Sequence, residues 1–246
     1  MTALQRVPVG NVNLHATTFE GAVEAVLDAA EAHIALPVRL SNAWCVVLAQ
    51  DSAEYSNVLN GPGMTLPDGK PVAAIMKRQR PDLRIERVRG PSFFRAVLGA
   101  SQRKNLSHFF IGGTPETLTA MLDKANLDYP ELKVAGYWAP PFAPVDDETV
   151  SASLKRIQST SPDIVWIGLG TPKQDFLSSR LASAAGLPCV GVGAAFDFMA
   201  GTVREAPRWV QTVGFEWLYR LLTEPRRLWK RYLLGNLRFI SITRQP

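Results

Sequence analysis

Short apolar runs that alternate with helix-forming stretches are the feature that most constrains the fold of this 246-residue chain. Five runs are rich in β-branched or aromatic residues and bounded by turn residues, which predicts strands over 38–41, 107–111, 133–137, 163–167 and 189–192. The stretches around them predict helices over 19–32, 92–103, 115–126, 147–158 and 172–185. Repeated strand–helix alternation favours a mainly parallel sheet with helices on both faces, which is an α/β fold.

The positive charge of the chain is concentrated towards its C-terminal end. The formal net charge is +5, and residues 204–246 carry nine arginine or lysine residues against three glutamates. Leucine and aromatic residues recur there at helical spacing, and Pro225 is expected to break the helix into two. We therefore predict a core over 1–203 and a basic amphipathic helical appendage over 204–246. Such an appendage either lies on an anionic membrane surface or packs on the core with a solvated basic face.

The cysteine pattern and the first residues of the chain favour a cytoplasmic compartment. Cys45 and Cys189 form neither CxxC spacing nor a cysteine–histidine cluster, which argues against a disulfide framework and a structural zinc site. No basic segment followed by an apolar run opens the chain, and no apolar stretch is long enough to span a bilayer. We expect a cytoplasmic protein whose basic tail is its route to a membrane surface.

Three glycine-containing turns follow predicted strands. Such turns let backbone N–H groups approach an anion at the positive end of a helix. One turn alone is explained by the steric needs of a tight connection. Three of them at the carboxyl edge of a parallel sheet favour a nucleotide site. The candidate binding residues are Gly112 and Gly113 in the first turn, Gly168, Gly170, Lys173 and Gln174 in the second, and Gly193 and Asp197 in the third.

Motifs that the chain lacks narrow the chemistry. No turn ends in the Gly-Lys-Ser or Gly-Lys-Thr of a P-loop, and none completes a GxGxxG fingerprint followed by an acid. The chain has no Asp-x-Asp pair, and His15, His33 and His108 lie far apart without metal-ligand or triad spacing. We therefore expect no metal ion and no resident cofactor.

A candidate general base stands in the Pro-Asp-Gly segment at 67–69. This sequence is first of all a turn signal. It also follows a strand-like run at 64–66, so the Asp68 carboxylate could lie at the rim of the sheet, in a partly dry cleft where it accepts a proton. The cations between positions 77 and 89 either contact phosphate groups or form a solvated face.

Taken in order, these segments resemble the WecG/TagA/CpsF family of bacterial glycosyltransferases (glycosyltransferase family 26). The resemblance covers nearly the whole chain. The matching segments are Asn42, Pro-Asp-Gly at 67–69, Arg-Val-Arg-Gly at 87–90, Ile-Gly-Gly at 111–113, Gly-Leu-Gly-Thr-Pro-Lys-Gln at 168–174, Phe-Asp at 196–197, Ala-Pro-Arg-Trp at 206–209, Gly-Phe-Glu-Trp-Leu-Tyr-Arg-Leu at 214–221, Glu-Pro-Arg-Arg at 224–227 and Arg-Tyr at 231–232.

The resemblance implies a Rossmann-like core and inverting, metal-independent transfer of a sugar. The donor of such enzymes is a UDP-sugar, and the acceptor is a saccharide linked to polyprenyl diphosphate. Family members act in teichoic acid, enterobacterial common antigen and exopolysaccharide synthesis. They work at the cytoplasmic face of the membrane, so the resemblance implies peripheral membrane association.

The resemblance also implies roles for particular residues. Asp68 looks like the base that deprotonates the acceptor hydroxyl, and Asn42 would line the same pocket. Gln174 and Asp197 would contact the nucleotide sugar. The appendage arginines that would neutralise diphosphate charge are Arg220, Arg227 and Arg231.

Departures from the family pattern leave the donor sugar open between N-acetylmannosamine, glucose and another hexose. Leu40 stands where the family often has threonine, Asp175 replaces a glutamate, and Glu205 occupies the place of a motif arginine. Two other functions also account for parts of the sequence. One is a non-catalytic module whose tail binds membrane or nucleic acid, and the other is hydrolysis of a UDP-sugar. We expect no nucleic-acid partner, and a second copy of the chain is an alternative partner for the apolar tail face.

Overall fold

A six-stranded parallel sheet forms the centre of the fold. The computed structural model describes residues 4–141 and 143–244. An antiparallel hairpin comes first, followed by the sheet strands: β1 (Arg6–Val9), β2 (Val12–His15), β3 (Leu36–Ser41), β4 (Met64–Pro67), β5 (Ser107–Gly112), β6 (Lys133–Trp138), β7 (Ile164–Gly168) and β8 (Pro188–Gly191). The sheet order is β4-β3-β8-β7-β5-β6, with every pair parallel. The five predicted strands are confirmed, and the hairpin is absent from the prediction.

Helices surround the sheet, and the α/β fold predicted from the alternation is confirmed. In chain order they are α1 (Phe19–Glu31), α2 (Ala43–Asp51), α3 (Ala53–Asn60), α4 (Lys70–Gln79), α5 (Gly90–Ser101), α6 (Pro115–Asp128), α7 (Asp147–Thr160), α8 (Lys173–Ala185), α9 (Ala195–Ala200), α10 (Arg208–Val213), α11 (Glu216–Thr223), α12 (Pro225–Trp229) and α13 (Gly235–Arg244). A 3-10 turn at Gln102–Lys104 follows α5, and a π-helical turn at Lys230–Leu234 separates α12 from α13.

Side chains on the two faces of the sheet enter separate apolar clusters. On one face, Trp166 of β7 packs edge-on against Phe94 of α5, with ring centroids 4.9 Å apart. Its neighbour Ile167 enters the cluster of the other face together with Ile157 of α7 and Leu181 of α8. Because successive residues of a strand point to opposite faces, this division buries the sheet on both sides. The carboxyl ends of the strands are therefore held in place by a sheet that is packed on both faces.

The C-terminal segment, defined as residues 204–244, is helical and breaks where the sequence predicts. Helix α11 ends at Thr223 and α12 begins at Pro225. The last helix, α13, packs on α2 through the buried Phe239, and Arg238 forms an ion pair with Asp51 at 2.5 Å. These contacts match the docked alternative for that helix. The division of the chain into domains at residue 203 stays a prediction.

None of the helices in the described residues combines the length and the apolar character that crossing a bilayer requires.

Candidate active site

The carboxyl ends of four neighbouring strands open into one large cavity. Its volume is about 1100 Å³, slightly above the range of about 300–1,000 Å³ that is usual for ligand sites. Asn42 follows β3, Asp68 follows β4, Gly168 ends β7 and Gly193 follows β8, and all four line the cavity. Parallel strands run in the same direction, so these distant points of the chain meet at one edge. The structure thus brings together most of the predicted site residues of the core.

The C-terminal segment closes the cavity on its other side. Trp217 and Arg220 of α11, Arg231 and Tyr232 of the π-helical turn, and Phe239 of α13 all line it. Several of these residues are aromatic and two are cationic, whereas the strand ends contribute carboxylates, amides and glycines. The cavity therefore belongs to both parts of the chain, and neither part encloses it alone.

Asp68 is held in place by hydrogen bonds on either side of its carboxylate. Its backbone N–H donates to the carbonyl of Ser41 at 2.9 Å, and its own carbonyl accepts from Nε of Arg87 at 2.5 Å. The carboxylate Oδ1 accepts the backbone N–H of Gly90 at 3.1 Å. The half-buried side chain is therefore oriented while it lines the cavity, which is what a proton acceptor requires.

Asn42 is fixed by its role at the start of a helix. Its Oδ1 accepts the backbone N–H groups of Trp44 at 3.0 Å and Cys45 at 3.4 Å, which caps α2. Because Oδ1 serves the cap, the Nδ2 amide is the group of this residue that can donate to a ligand.

Gln174 ties two of the glycine turns together. Its Oε1 accepts the N–H of Gly170 at 3.1 Å and the N–H of Gly193 at 2.8 Å. Both glycines have positive φ, at 74° and 59°, a conformation that favours glycine. Gln174 is buried, and its two hydrogen bonds fix the conformation of the loops. A contact between its side chain and the donor stays a prediction.

Three of the predicted binding residues lie outside the lining of the cavity. A Cβ atom at Gly112 would lie 2.6 Å from the carbonyl of Gly168, so this glycine is required for close backbone approach. Gly113 packs beside Thr117 in the next helix. Lys173 Nζ donates to the carbonyl of Ala143 at 2.9 Å. Their part in ligand binding stays a prediction, whereas Asp197 does line the cavity.

Arg220 and Arg231 present partly buried guanidinium groups to the cavity. Arg220 lies over the ring of Phe198 at 5.4 Å and within 3.6 Å of Glu224. The Nε atoms of both arginines are buried without a hydrogen-bond partner among the described residues. A buried donor without an acceptor is costly, and an anionic ligand would supply one. The side chain of Arg227 lies outside the described part of the structure, so its predicted role stays a prediction.

The described residues contain no group of three or more His, Cys, Asp or Glu side chains placed to hold a metal ion. Charged side chains of both signs line the cavity, and both the core and the C-terminal segment contribute cations and carboxylates.

An ion-pair network beside Asp68, here called the clasp, joins the core to the C-terminal segment. It consists of Arg87, Arg89, Arg95, Glu205 and Glu216. Arg89 is only 6% exposed and donates to Glu216 at 2.6 Å and to Glu205 at 2.5 Å. Burial raises the pKa of Glu216, but hydrogen bonds from Arg89 and Arg87 outweigh burial and hold that pKa below its ordinary 4.5. Burial also raises the pKa of Glu205, but its interactions with Arg95 and Arg89 outweigh burial and lower that pKa.

The clasp is the main part of the site that sequence reasoning missed. Arg87 and Arg89 stood in a basic stretch with two open interpretations and in a matching motif at 87–90, and Glu216 stood in the motif at 214–221, but none of the three had an assigned role. The partners lie 129 and 127 residues apart, so nothing in the local pattern joins them. The available signal was the rarity of acids in the basic tail, where Glu205 and Glu216 are two of the three.

The clasp predicts a loss of stability in acid. The folded-state pKa of Glu216 lies below 4.5, so its stabilising contribution is present above about pH 4.5 and is lost as the pH falls through the folded-state pKa. Glu216→Gln should therefore lower the thermal midpoint at about pH 7, and the difference from the native protein should shrink towards about pH 3. Calorimetry measures both. Glu131→Gln, at an exposed site, is the control, and a pH-independent difference for Glu216→Gln would contradict this account.

Fold and cavity together define an α/β protein with a candidate ligand site at the carboxyl edge of a parallel sheet. A family model described as the glycosyl transferase WecG/TagA/CpsF family matches residues 7–245. The chain therefore belongs to the WecG/TagA/CpsF family and is a glycosyltransferase, which confirms the resemblance drawn from its motifs.

A curated relative supports the same placement. The N-acetylglucosaminyldiphosphoundecaprenol N-acetyl-beta-D-mannosaminyltransferase of Bacillus subtilis (strain 168) is 32% identical over 182 residues. The alignment covers 73% of this chain and 68% of the relative. The relative's name describes transfer of an N-acetylmannosaminyl group to N-acetylglucosamine that is linked through diphosphate to undecaprenol.

Proposed function

We propose that this glycosyltransferase moves a hexose or N-acetylhexosamine from a UDP-sugar to a saccharide linked to polyprenyl diphosphate, in the synthesis of a cell-surface polymer. The reaction inverts the anomeric carbon and uses no metal ion. One observation carries the proposal: a single cavity holds the Asp68 carboxylate of the core together with Arg220 and Arg231 of the C-terminal segment. The named activity of the relative supports a lipid-linked acceptor and makes N-acetylmannosamine the first donor sugar to test.

Asp68 is the proposed general base. Its carboxylate accepts the proton of the acceptor hydroxyl while that oxygen forms a bond to the anomeric carbon of the donor. The bond between the anomeric carbon and the UDP oxygen breaks, and its electron pair leaves with UDP. A single displacement of this kind inverts the anomeric centre. The hydrogen bond from the Gly90 N–H orients the carboxylate for the task.

Arg220 and Arg231 are the proposed stabilisers of the leaving group. Negative charge grows on the diphosphate as the sugar departs, and donors already fixed in a partly dry cavity stabilise that charge best. The guanidinium groups of the two arginines line the cavity and are partly buried, so they supply donors of this kind. Arginine also binds phosphate oxygens through two parallel hydrogen bonds, which a lysine cannot do. These donors are the physical basis for proposing transfer without a metal, with Arg227 as a third cation on the strength of its motif.

Exposed apolar side chains of the C-terminal segment support a position at the cytoplasmic face of the membrane. Trp209, Leu222 and Leu237 are 71%, 74% and 68% exposed. Exposed cations stand near them in the chain, among them Arg226 and Lys230. Large apolar side chains mixed with arginine and lysine are typical of segments that lie in a membrane interface. This position would bring the cavity to an acceptor whose lipid is held in the bilayer.

The exposed apolar face gives a direct test of membrane binding. The triple variant Trp209→Ser, Leu222→Ser, Leu237→Ser should bind vesicles of phosphatidylglycerol and phosphatidylethanolamine at least about 10-fold more weakly, because three apolar contacts are lost. Cosedimentation measures the difference. Leu127→Ser, at a 77% exposed leucine of α6, is the matched control and should bind like the native protein. Equal binding by the triple variant would contradict the membrane role and favour a second copy of the chain as the partner of this face.

The reaction itself is tested by following UDP release and lipid-linked product together. A panel of UDP-hexoses and UDP-N-acetylhexosamines is supplied with a short polyprenyl-diphosphate N-acetylglucosamine acceptor, with and without EDTA. We expect transfer that depends on the acceptor and survives EDTA. Loss of transfer in EDTA would overturn the role given to the arginines. UDP release without acceptor would favour hydrolysis, and binding without either reaction would favour a non-catalytic module.

A further inference from the structure

The segment that contains two arginines of the clasp, Arg87 and Arg89, also holds the loop that carries Asp68. Arg87 Nε donates to the carbonyl of Asp68 at 2.5 Å. Between the arginines, Val88 N–H donates to the carbonyl of Pro67 at 2.8 Å, and the residue after Arg89, Gly90, donates to the Asp68 carboxylate at 3.1 Å. The segment 87–90 therefore fixes both the backbone and the side chain of Asp68.

One carboxylate of the C-terminal segment holds both of these arginines. Glu216 Oε2 accepts from Nη2 of Arg87 at 2.8 Å. Its Oε1 accepts from Nη2 of Arg89 at 2.6 Å and from Nε of Arg89 at 2.9 Å. Glu216 is the first residue of α11, the helix that carries Arg220 into the cavity, and its side chain is 14% exposed. Hydrogen bonds through Arg87 thus link the start of α11 to the backbone carbonyl of Asp68. A second path runs from Glu216 to Arg89 and, through the backbone of Arg89 and Gly90, to the Asp68 carboxylate.

We propose that Glu216 is a positioning residue for sugar transfer, and that it couples the seating of α11 to the orientation of Asp68. This inference rests on the proposed role of Asp68 as the base. When α11 is in place, Glu216 fixes Arg87 and Arg89, and the segment that contains them fixes Asp68. Without Glu216, Arg87 loses its ion pair with Glu216 and the buried Arg89 keeps only Glu205, so the segment 87–90 has to rearrange.

The size of the effect follows from the geometry that catalysis demands. A misplacement of about 1 Å in a reacting group lowers a rate by as much as about 100-fold. Glu216 does not touch a reacting atom in this scheme, so its removal should act on turnover far more than on donor binding. The coupling would also make the base effective only while the arginines of α11 face the cavity. Deprotonation and leaving-group stabilisation would then be assembled in one movement.

The test compares two substitutions of Glu216 in the full-length protein with the UDP-sugar and lipid-linked acceptor already described. Glu216→Gln keeps the length of the side chain but loses the charge, and kcat should fall about 30- to 100-fold with KM for the UDP-sugar within about threefold of native. Glu216→Asp keeps the charge, and its kcat should be at least about fivefold higher than that of Glu216→Gln. A role in packing alone predicts the opposite order, with Gln nearer to native than Asp.

Glu205→Gln is the matched control, because Glu205 pairs with Arg89 and Arg95 in the same clasp but forms no ion pair with Arg87. It should lower the thermal midpoint about as much as Glu216→Gln and keep kcat within about threefold of native. A native or raised kcat for Glu216→Gln would overturn the inference, as would an equal loss of kcat in both variants. Asp68→Asn separates failure of the proposed base from failure of the coupling. Full activity of Asp68→Asn refutes the proposed base. An inactive Asp68→Asn together with an active Glu216→Gln refutes only the coupling.

Discussion

Asp68→Asn is expected to lower kcat for sugar transfer by about 10²- to 10⁴-fold while KM for the UDP-sugar changes little. Asparagine keeps the shape of the side chain, and its Oδ1 can still accept the N–H of Gly90, so the loop and the cavity should persist. It cannot take a proton from the acceptor hydroxyl, which is the step assigned to Asp68. Initial rates of lipid-linked product formation over a range of donor concentrations measure both parameters.

Asp197→Asn is the matched control for that experiment. Asp197 lines the same cavity from α9, the helix after β8, and its predicted role is contact with the donor. Its substitution should therefore raise KM for the UDP-sugar more than it lowers kcat. The reverse pattern, with a native kcat in Asp68→Asn and a large loss in Asp197→Asn, would move the base to Asp197.

Arg231→Ala is expected to produce the second large effect, a loss of about 10²- to 10³-fold in kcat. The guanidinium group lines the cavity, so alanine removes a cation and hydrogen-bond donor from the site where charge grows on the diphosphate in the proposed reaction. Arg231→Lys restores a cation without the planar pair of donors and should recover only part of the rate. Single-turnover measurements with saturating donor isolate the bond-breaking step.

The control for this prediction is Arg226→Ala. Arg226 is an exposed cation of the adjacent helix α12 and does not line the cavity. It should keep kcat within about threefold of native, because surface charges contribute little to chemistry inside a partly dry site. If Arg231→Ala matched Arg226→Ala, the leaving group would have to be stabilised by other groups of the cavity.

The parallel sheet was predictable because each of its buried strands has a recognisable local pattern of apolar residues. Residues such as Trp166 and Ile167 are apolar on consecutive positions, as strands buried on both faces must be. The hairpin of β1 and β2 escaped, although Gly10 and Asn11 between two short alternating runs are a recognised hairpin signal. Helix α2 escaped for another reason: it is a nearly continuous apolar run, and such runs show no helical period.

The site was predictable where the position of a residue follows from the direction of the parallel strands. It was not predictable where the position depends on pairing between distant parts of the chain. Asn42 and Asp68 follow strands of one parallel sheet, so their meeting at one edge could be expected. Lys173 follows the same logic but bonds to a loop carbonyl, since the direction of one side chain on a helix start depends on its neighbours. The pairing of Arg89 with Glu216 depends on where the C-terminal segment folds back, which no local pattern specifies.

The attachment of the C-terminal segment at both of its ends has a consequence for substrate entry. Glu205 is tied to Arg89 and Arg95 at the start, and α13 is packed on α2 at the end. Helices α10 to α12 therefore form a hoop across the cavity, not a flap with one free edge. Glu216 of α11 is also bound to Arg87 and Arg89, so this hoop is held along its length and does not swing away from the core as a flap would. We expect the head group of a lipid-linked acceptor to enter beneath the hoop from one side and to leave by the same path. The length of the hoop then limits the size of the acceptor saccharide that the enzyme can admit.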